Sequence, residues 1–453
     1  GVSGPRAPRG PLFRLAQALA LGLTFALVLG AHAVVPHAGE TPATLVSLGF
    51  LLLTGMLTSE LLDLIGLPHL TGYLLAGVIG GPHGLHLVDH AAVERLQGIN
   101  TLALALIALA GGLELKLSLL RSAARSVAWA TLVQSTLGIV AGAAALLAVA
   151  RQLPFLAELG ARPLAGVALL WGVLAISRSP SATLGILAQV RPDGPVTRFA
   201  LAFVMSSDIV VAVLLTLALA VTRPLIDPAG TLSLRDLQEL GHELVGSVSL
   251  GTTIGLTLAL YLWLAGGQLL LVLVGLGFGL SAGLRYLHFD PLLTFMVAGF
   301  VVENGSDQGG KLLVAIERAS SVVFVVFFAI AGAHLDLPLL RQLWPIALFL
   351  CGVRALSVFG AHRLGARLAD DAAAVRRWGF APLVSQAGLS LAMAIVVERT
   401  FPSIGAGFRA LAVATVAVNE LVGPVLFKIA LDRTGEAGRA AAGAAGHAAE
   451  ASS

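Results

Sequence analysis

The chain has 453 residues, 57% of them hydrophobic and only 12% charged, with a mean hydropathy of +0.91 and a formal net charge of +3. Soluble domains carry about 25% charged residues, so this chain cannot clothe a water-facing surface. It reads as a bundle of membrane-spanning helices, not as a nucleic-acid binder or a soluble enzyme. A lone cysteine, Cys351, excludes an intrachain disulfide and any cysteine metal cluster, and no cofactor motif is present.

Apolar segments fall at 15–35, 43–65, 69–81, 97–117, 122–150, 163–190, 196–222, 241–265, 267–286, 289–303, 312–334, 341–366, 376–399 and 407–430. The first follows Arg6, Arg9 and Arg14 and ends in AHA at 31–33, so residues 1–36 fit either a signal-like leader or an additional spanning helix. With the N-terminus inside, 17 basic residues fall on the cytoplasmic side and nine on the other, while Arg178 and Arg354 fall within spans. By the positive-inside rule the C-terminus is then cytoplasmic. GLGFG at 275–279 lies within a span and reads as helix packing, not as a nucleotide loop. Residues 434–453 are small and polar, without a core-forming pattern, and are expected to be a disordered tail.

The two halves resemble each other. LAGGLELKLSLLR (109–121) aligns with AIAGAHLDLPLLR (329–341) at an offset of 220 with six identities, and PHLTGYLLAG (68–77) matches PLLTFMVAG (291–299). Arg121 falls inside and Arg341 outside, so the halves run in opposite directions. Inverted repeats, here 43–222 and 267–430 joined by a linking helix at 241–265, are a transporter signature with the binding site at the midplane.

Polar stretches interrupt two apolar segments in matching places. ISRSPSATLG (176–185) contains Pro180, which removes a backbone donor and disturbs the preceding turn. LVSQAGLSLA (383–392) brings Ser385, Gln386 and Gly388 into the other. Broken helices at corresponding positions point to a site between them. Directly after the first break, FVMSSDIVVAVLL (203–215) carries Asp208, an acid costing about 3 kcal/mol at the centre of a bilayer helix. Arg354, on the helix before the second break, is its expected charge partner, with Arg178 as a further buried cation. An acid that holds either a proton or a cation, and not both, suits exchange.

GLPHLTGYLLAGVIGGPHGL (66–85), ALAGGLELKL (108–117), SRSPSATLGIL (177–187), SSDIVV (206–211), FFAIAGAHLDL (327–337) and VNELVGPVL (418–426) resemble the monovalent cation:proton antiporter superfamily, in its second branch of bacterial sodium/proton and potassium/proton exchangers. The resemblance covers about 43–430. It implies a homodimer in a bacterial-type inner membrane, each protomer having thirteen spanning helices, with two broken helices crossing at the midplane and a mobile core beside a panel domain. It places the proton- and cation-binding aspartate at Asp208, a core lysine or arginine at Arg354, and cation-lining groups at Ser179 and Thr183. Two departures stand out: Ser207 occupies a position that is acidic in electrogenic members, and Arg178 one where threonine is commoner. The expected function is therefore exchange of Na⁺ or K⁺ for protons, electroneutral because Asp208 is the only acid of the 207–208 pair. Potassium efflux by a relative of the ligand-gated systems, lacking their regulatory domain, stays open. So does a non-transporting membrane sensor whose site Arg178 has spoiled.

Overall fold

The computed structural model describes residues 40–226, 234–264, 289–334, 337–386 and 388–439, with a few single positions elsewhere. Single positions aside, the leader at 1–36, the span at 267–286 and the tail beyond Arg439 lie outside the described residues. Every element among the described residues is helical. They are α1 (Glu40–Asp63), α2 (His69–Gly80), α3 (His90–Arg95), α4 (Gln97–Glu114), α5 (Leu117–Val149), α6 (Ala161–Ala175), α7 (Pro180–Val190), α8 (Pro195–Ile226), α9 (Leu234–Leu264), α10 (Pro291–Gly305), α11 (Gly309–Ala333), α12 (Leu337–Leu368), α13 (Ala373–Trp378), α14 (Gly388–Thr400) and α15 (Pro402–Thr434). Short helical turns cover Ala150–Gln152, Pro154–Ala157 and Ala381–Leu383.

Seven helices among these residues are long and apolar enough to cross a membrane, with α6 and α7 taken together as one. Four shorter apolar helices accompany them, α2 and α10 being the clearest. The expected total of thirteen spans falls partly on undescribed residues. The chain is an all-helical, multi-pass integral membrane protein.

The described residues form two compact units, one within 1–103 and 319–337 and the other within 104–318 and 338–453. In the first, α2 and α11 approach so closely that a β-carbon on Gly77 would run into the carbonyl of Ala329, and one on Gly332 into that of Leu74. In the second, α10 and α4 do the same: Gly299 lies against the Leu109 carbonyl, and Gly112 against that of Met296. Gly77 and Gly299 close the two matched stretches, while Gly112 and Gly332 are related by the offset of 220. The same contact is thus made twice, each time between helices from different halves of the chain. Lipid gives little hydrophobic drive for helices to associate, so close backbone approach through glycine carries the packing.

The second unit's core joins α6, α8, α12, α14 and α15 through Trp171, Leu174, Val211, Leu350, Val397 and Phe408. Trp171 meets Phe408 edge to face at 5.4 Å. This packing fixes the broken helices against one another.

Candidate functional site

The first break spans Ile176–Ser179, between α6 and α7. Pro180 cannot donate to the Ile176 carbonyl and disfavours a helical Ser179, which is extended at φ −114°, ψ 99°. The same residues restart the helix. Ser179 is its N-cap, accepting from the Ala182 N–H at 3.1 Å, and Pro180 suits the first helical position. Thr183 Oγ1 donates to the Ser179 carbonyl at 3.1 Å, and Ser179 Oγ lies 3.2 Å from Ser181 Oγ. Ser179, Ser181 and Thr183 are all buried.

The second break separates the turn at Ala381–Leu383 from α14, and Ser385 and Gln386 sit in it, buried. Gly388 opens α14. On α15, Gly423 lets the helix backbone lie against Ser385, where a β-carbon would clash.

Arg354 joins the breaks. Its Nε donates to the Ala175 carbonyl at 2.8 Å and one Nη to the Ser177 carbonyl at 2.9 Å. The guanidinium also donates to the carbonyls of Val384 at 2.6 Å and Leu383 at 3.1 Å. It therefore caps the carbonyl ends of both interrupted segments, where unpaired acceptors and the negative dipole end both favour a cation. The expected pairing of Arg354 with Asp208 is not formed. A buried guanidinium has five donors in a rigid fork, and two helix ends offer more acceptors than one carboxylate.

Side chains bind the breaks as well. Gln386 Nε2 donates to the Leu174 carbonyl at 3.0 Å and to Ser177 Oγ at 3.2 Å, while Asn419 Nδ2 on α15 donates to Gln386 Oε1 at 2.8 Å. Ser177 Oγ and Ser390 Oγ are 2.6 Å apart. A cavity of about 10 Å³, close to the size of one water, lies beside Trp171, Cys351, Arg354, Gln386 and Asn419. Asp208 does not line it.

Asp208 lies on α8, and its Oδ1 is buried and receives no hydrogen bond. The charges it feels most are Asp290, at the N-cap of α10, and Arg178. Arg178 is buried in the first break, with its guanidinium 4.5 Å over the Phe203 ring on α8 and its Nε unpartnered. Ser207, also buried, spends its hydroxyl on the Val204 carbonyl at 2.9 Å. So Arg178 and Asp208 come within electrostatic reach, and Arg354, Gln386 and Ser177 form one network. The hydroxyls of Ser179, Thr183 and Ser207 are engaged within their own segments.

Ser177, Ser390, Asn419 and Asp290 escaped the sequence reading. Ser177, Ser390 and Asn419 stand in stretches already singled out, but nothing local says which breaks they bridge. Asp290, directly before Pro291, carries the ordinary mark of a helix start: it accepts from the Leu293 N–H at 2.6 Å.

Two broken segments are thus stapled by one arginine, beside a helix bearing a part-buried acid. A family model of the sodium/hydrogen exchanger transmembrane region matches residues 48–432. The chain belongs to the sodium/hydrogen exchanger family. Two structures of the sodium proton antiporter MjNhaP1 from Methanocaldococcus jannaschii share this exchanger's fold. One, at pH 8, matches with a TM-score of 0.58 and 17% identity, over 86% of this chain and 98% of that one. The other, an electron-microscopy map, matches with a TM-score of 0.61 and 17% identity, over 86% and 94%. Direct sequence comparison with curated proteins returns no match.

Proposed function

We propose that this exchanger swaps a monovalent cation, Na⁺ or K⁺, for protons, with Asp208 as the group that carries either ligand. The observation that carries the reading is the Asp208 carboxyl: Oδ1 is buried, without a hydrogen-bond donor, on the helix that follows a break. A carboxylate so placed must be neutralised by a proton or by a cation, and the two compete. The doubled glycine contacts support two inverted repeats, 43–222 and 267–430, which can expose one site alternately to each side. The sodium proton antiporter named above has the same fold, which favours Na⁺ among the candidates. In this reading the oxygen ligands come from Ser179, Thr183 and the carbonyls of the first break, with Ser207 beside the acid, and each of the three hydroxyls gives up the hydrogen bond it makes within its own segment. A homodimer with its C-terminus in the cytoplasm completes the proposal.

One carboxyl at 207–208 gives one proton per cation and no net charge movement. The serine hydroxyl at 207 does not ionise, and arginines stay charged. A charge crossing the membrane gains about 2.3 kcal/mol per 100 mV, so the stoichiometry is measurable. Proteoliposomes containing a pH dye, challenged with Na⁺, K⁺ and Li⁺ in turn, are expected to show cation-dependent dequenching that ignores a valinomycin-imposed potential. Asp208→Asn is expected to remove it while leaving the protein folded. Substantial exchange in that variant would overturn the assignment, and a steep voltage dependence would bring in a second acid, with Asp290 first in line. Silence of the unaltered protein toward all three cations would favour the sensor reading, in which Arg178 already fills the role of the cation.

A further inference from the structure

The chain beyond α15 was expected to be disordered, yet Gly435–Arg439 folds back against the corner between α7 and α8. Gly435 takes the left-handed conformation at φ 65°, ending α15 and turning the chain. Glu436 follows and is only 1% exposed. Its carboxylate accepts from the N–H of Val196 at 2.9 Å, the N–H of Thr197 at 2.8 Å and the hydroxyl of Thr197 at 2.7 Å. The Asp193 N–H donates to the Glu436 carbonyl at 3.1 Å, and the Gly438 N–H to the Val190 carbonyl at 3.0 Å.

Helix α8 starts at Pro195, so its N-cap position is Gly194, which has no side chain to satisfy the first amides. That glycine is also where the carboxylate packs: a β-carbon at 194 would meet the Glu436 carboxyl carbon. The helix that carries Asp208 is thus capped by an acid 240 residues away, whose charge suits the positive end of the helix dipole. A bare N-cap needs only a local Asn, Asp or Ser. Capping from a distant segment does something more: it joins α8 to α15. Each of these helices follows one of the breaks. One carries Asp208, and the other carries Asn419, which holds Gln386 against the first break.

We propose that Glu436 is a positioning residue, a tie between the ends of α8 and α15 that sets the height of Asp208 against the crossing and makes both arms move as one body. The inference rests on the exchange reading above. It concerns the held geometry and not proton or cation binding by Glu436 itself.

The test uses the full chain with Glu436→Ala, the milder Glu436→Gln, and the double variant Glu436→Ala/Gly194→Asp, in which α8 receives a cap of its own. Melting temperature, cation KM and turnover are measured in the same proteoliposome and detergent preparations. Glu436→Ala is expected to lower the melting temperature and raise the cation KM severalfold, with Glu436→Gln between it and the unaltered protein. The double variant should recover the melting temperature and keep the raised KM. Recovery of both would show that Glu436 is a cap and nothing else, and an unchanged KM in all three variants would overturn the proposal. Hydrogen–deuterium exchange separates this result from a failure of the exchange reading. If the unaltered protein moves no cation, the double variant must still speed exchange of the amides near Gln386 and Asn419. Unaltered exchange there would sink the tie independently of transport.

Discussion

Arg354 and Arg178 are both almost fully buried, at 6% and 4% exposure, and both lie where the broken helices meet. Their surroundings differ completely. Arg354 gives its donors to four backbone carbonyls, two from each interrupted segment. Arg178 rests on the face of Phe203 with Nε unpartnered, and the charges it feels are Arg354 and Asp208. The first guanidinium is spent on holding the fold, while the second is held by the fold and contributes a field. A buried arginine in a transporter is therefore not one kind of object. What decides its role is whether its donors are matched.

The largest expected effect comes from Arg354→Ala. It strips the partners from carbonyls at two helix ends, and each buried acceptor left alone costs about 1–3 kcal/mol. Loss of several such bonds should leave little folded protein, seen as a collapsed yield and a melting temperature lowered by many degrees. Arg354→Lys keeps the charge but not the planar fork, so it should fall between. A melting temperature unchanged in Arg354→Ala would show that the staple holds nothing.

Gln386→Ala ranks second. It removes donors to the Leu174 carbonyl and Ser177 Oγ and leaves Asn419 without its acceptor. A buried, fully satisfied network loses about 1–3 kcal/mol when one member goes. The double variant with Asn419→Ala should cost little more, because the two act as one unit. Fully additive losses in urea or thermal unfolding would show that they do not.

Arg178→Gln sharpens the contrast from the other side. With few bonds to lose, it should shift stability by about 1 kcal/mol or less, within the range of substitutions that break no network. Removing a positive charge beside Asp208 should instead tighten cation binding, lowering the cation KM severalfold. A fall in stability like that of Arg354→Ala, with KM unmoved, would erase the distinction between the two arginines.

The difference between these residues also marks what the sequence made legible. The first break was readable because Pro180 and its polar neighbours interrupt an apolar run, and the second because Ser385, Gln386 and Gly388 do. Asp208 stood out for the same reason: a charge in lipid has no ordinary explanation. The doubled glycine contacts were foreshadowed by the matched stretches. The partners of Arg354 were not legible, because backbone carbonyls leave no mark in composition, and an acid nearby in the pattern looked the better candidate. Glu436 was hidden in a small, polar tail whose composition is that of disorder, and its partners lie on another helix.

The smallest expected effect lies at the far end of the helix that carries Arg354, where water can help. Asp371, in the turn between α12 and α13, accepts from Ser126 Oγ at 2.9 Å and lies near Arg125 and Arg376. Partial burial raises its pKa, and the Ser126 hydroxyl and the two arginines offset that only in part, with Asp370 adding to the rise. An acid whose folded pKa exceeds its unfolded value binds more protons in the native state as it titrates, so stability falls as pH climbs through that window. Its favourable contribution is complete below the ordinary aspartate pKa and lost above the raised one. Asp371→Asn abolishes this titration and can still accept from Ser126. As pH climbs from the usual aspartate value of about 4, the variant's melting temperature should vary less with pH than that of the unaltered protein. At neutral pH it should be equal or slightly higher, by well under about 1 kcal/mol, as for partly exposed charge pairs. A clear loss of stability at neutral pH would mean that the arginines outweigh burial here, and that even a half-exposed guanidinium can act as Arg354 does.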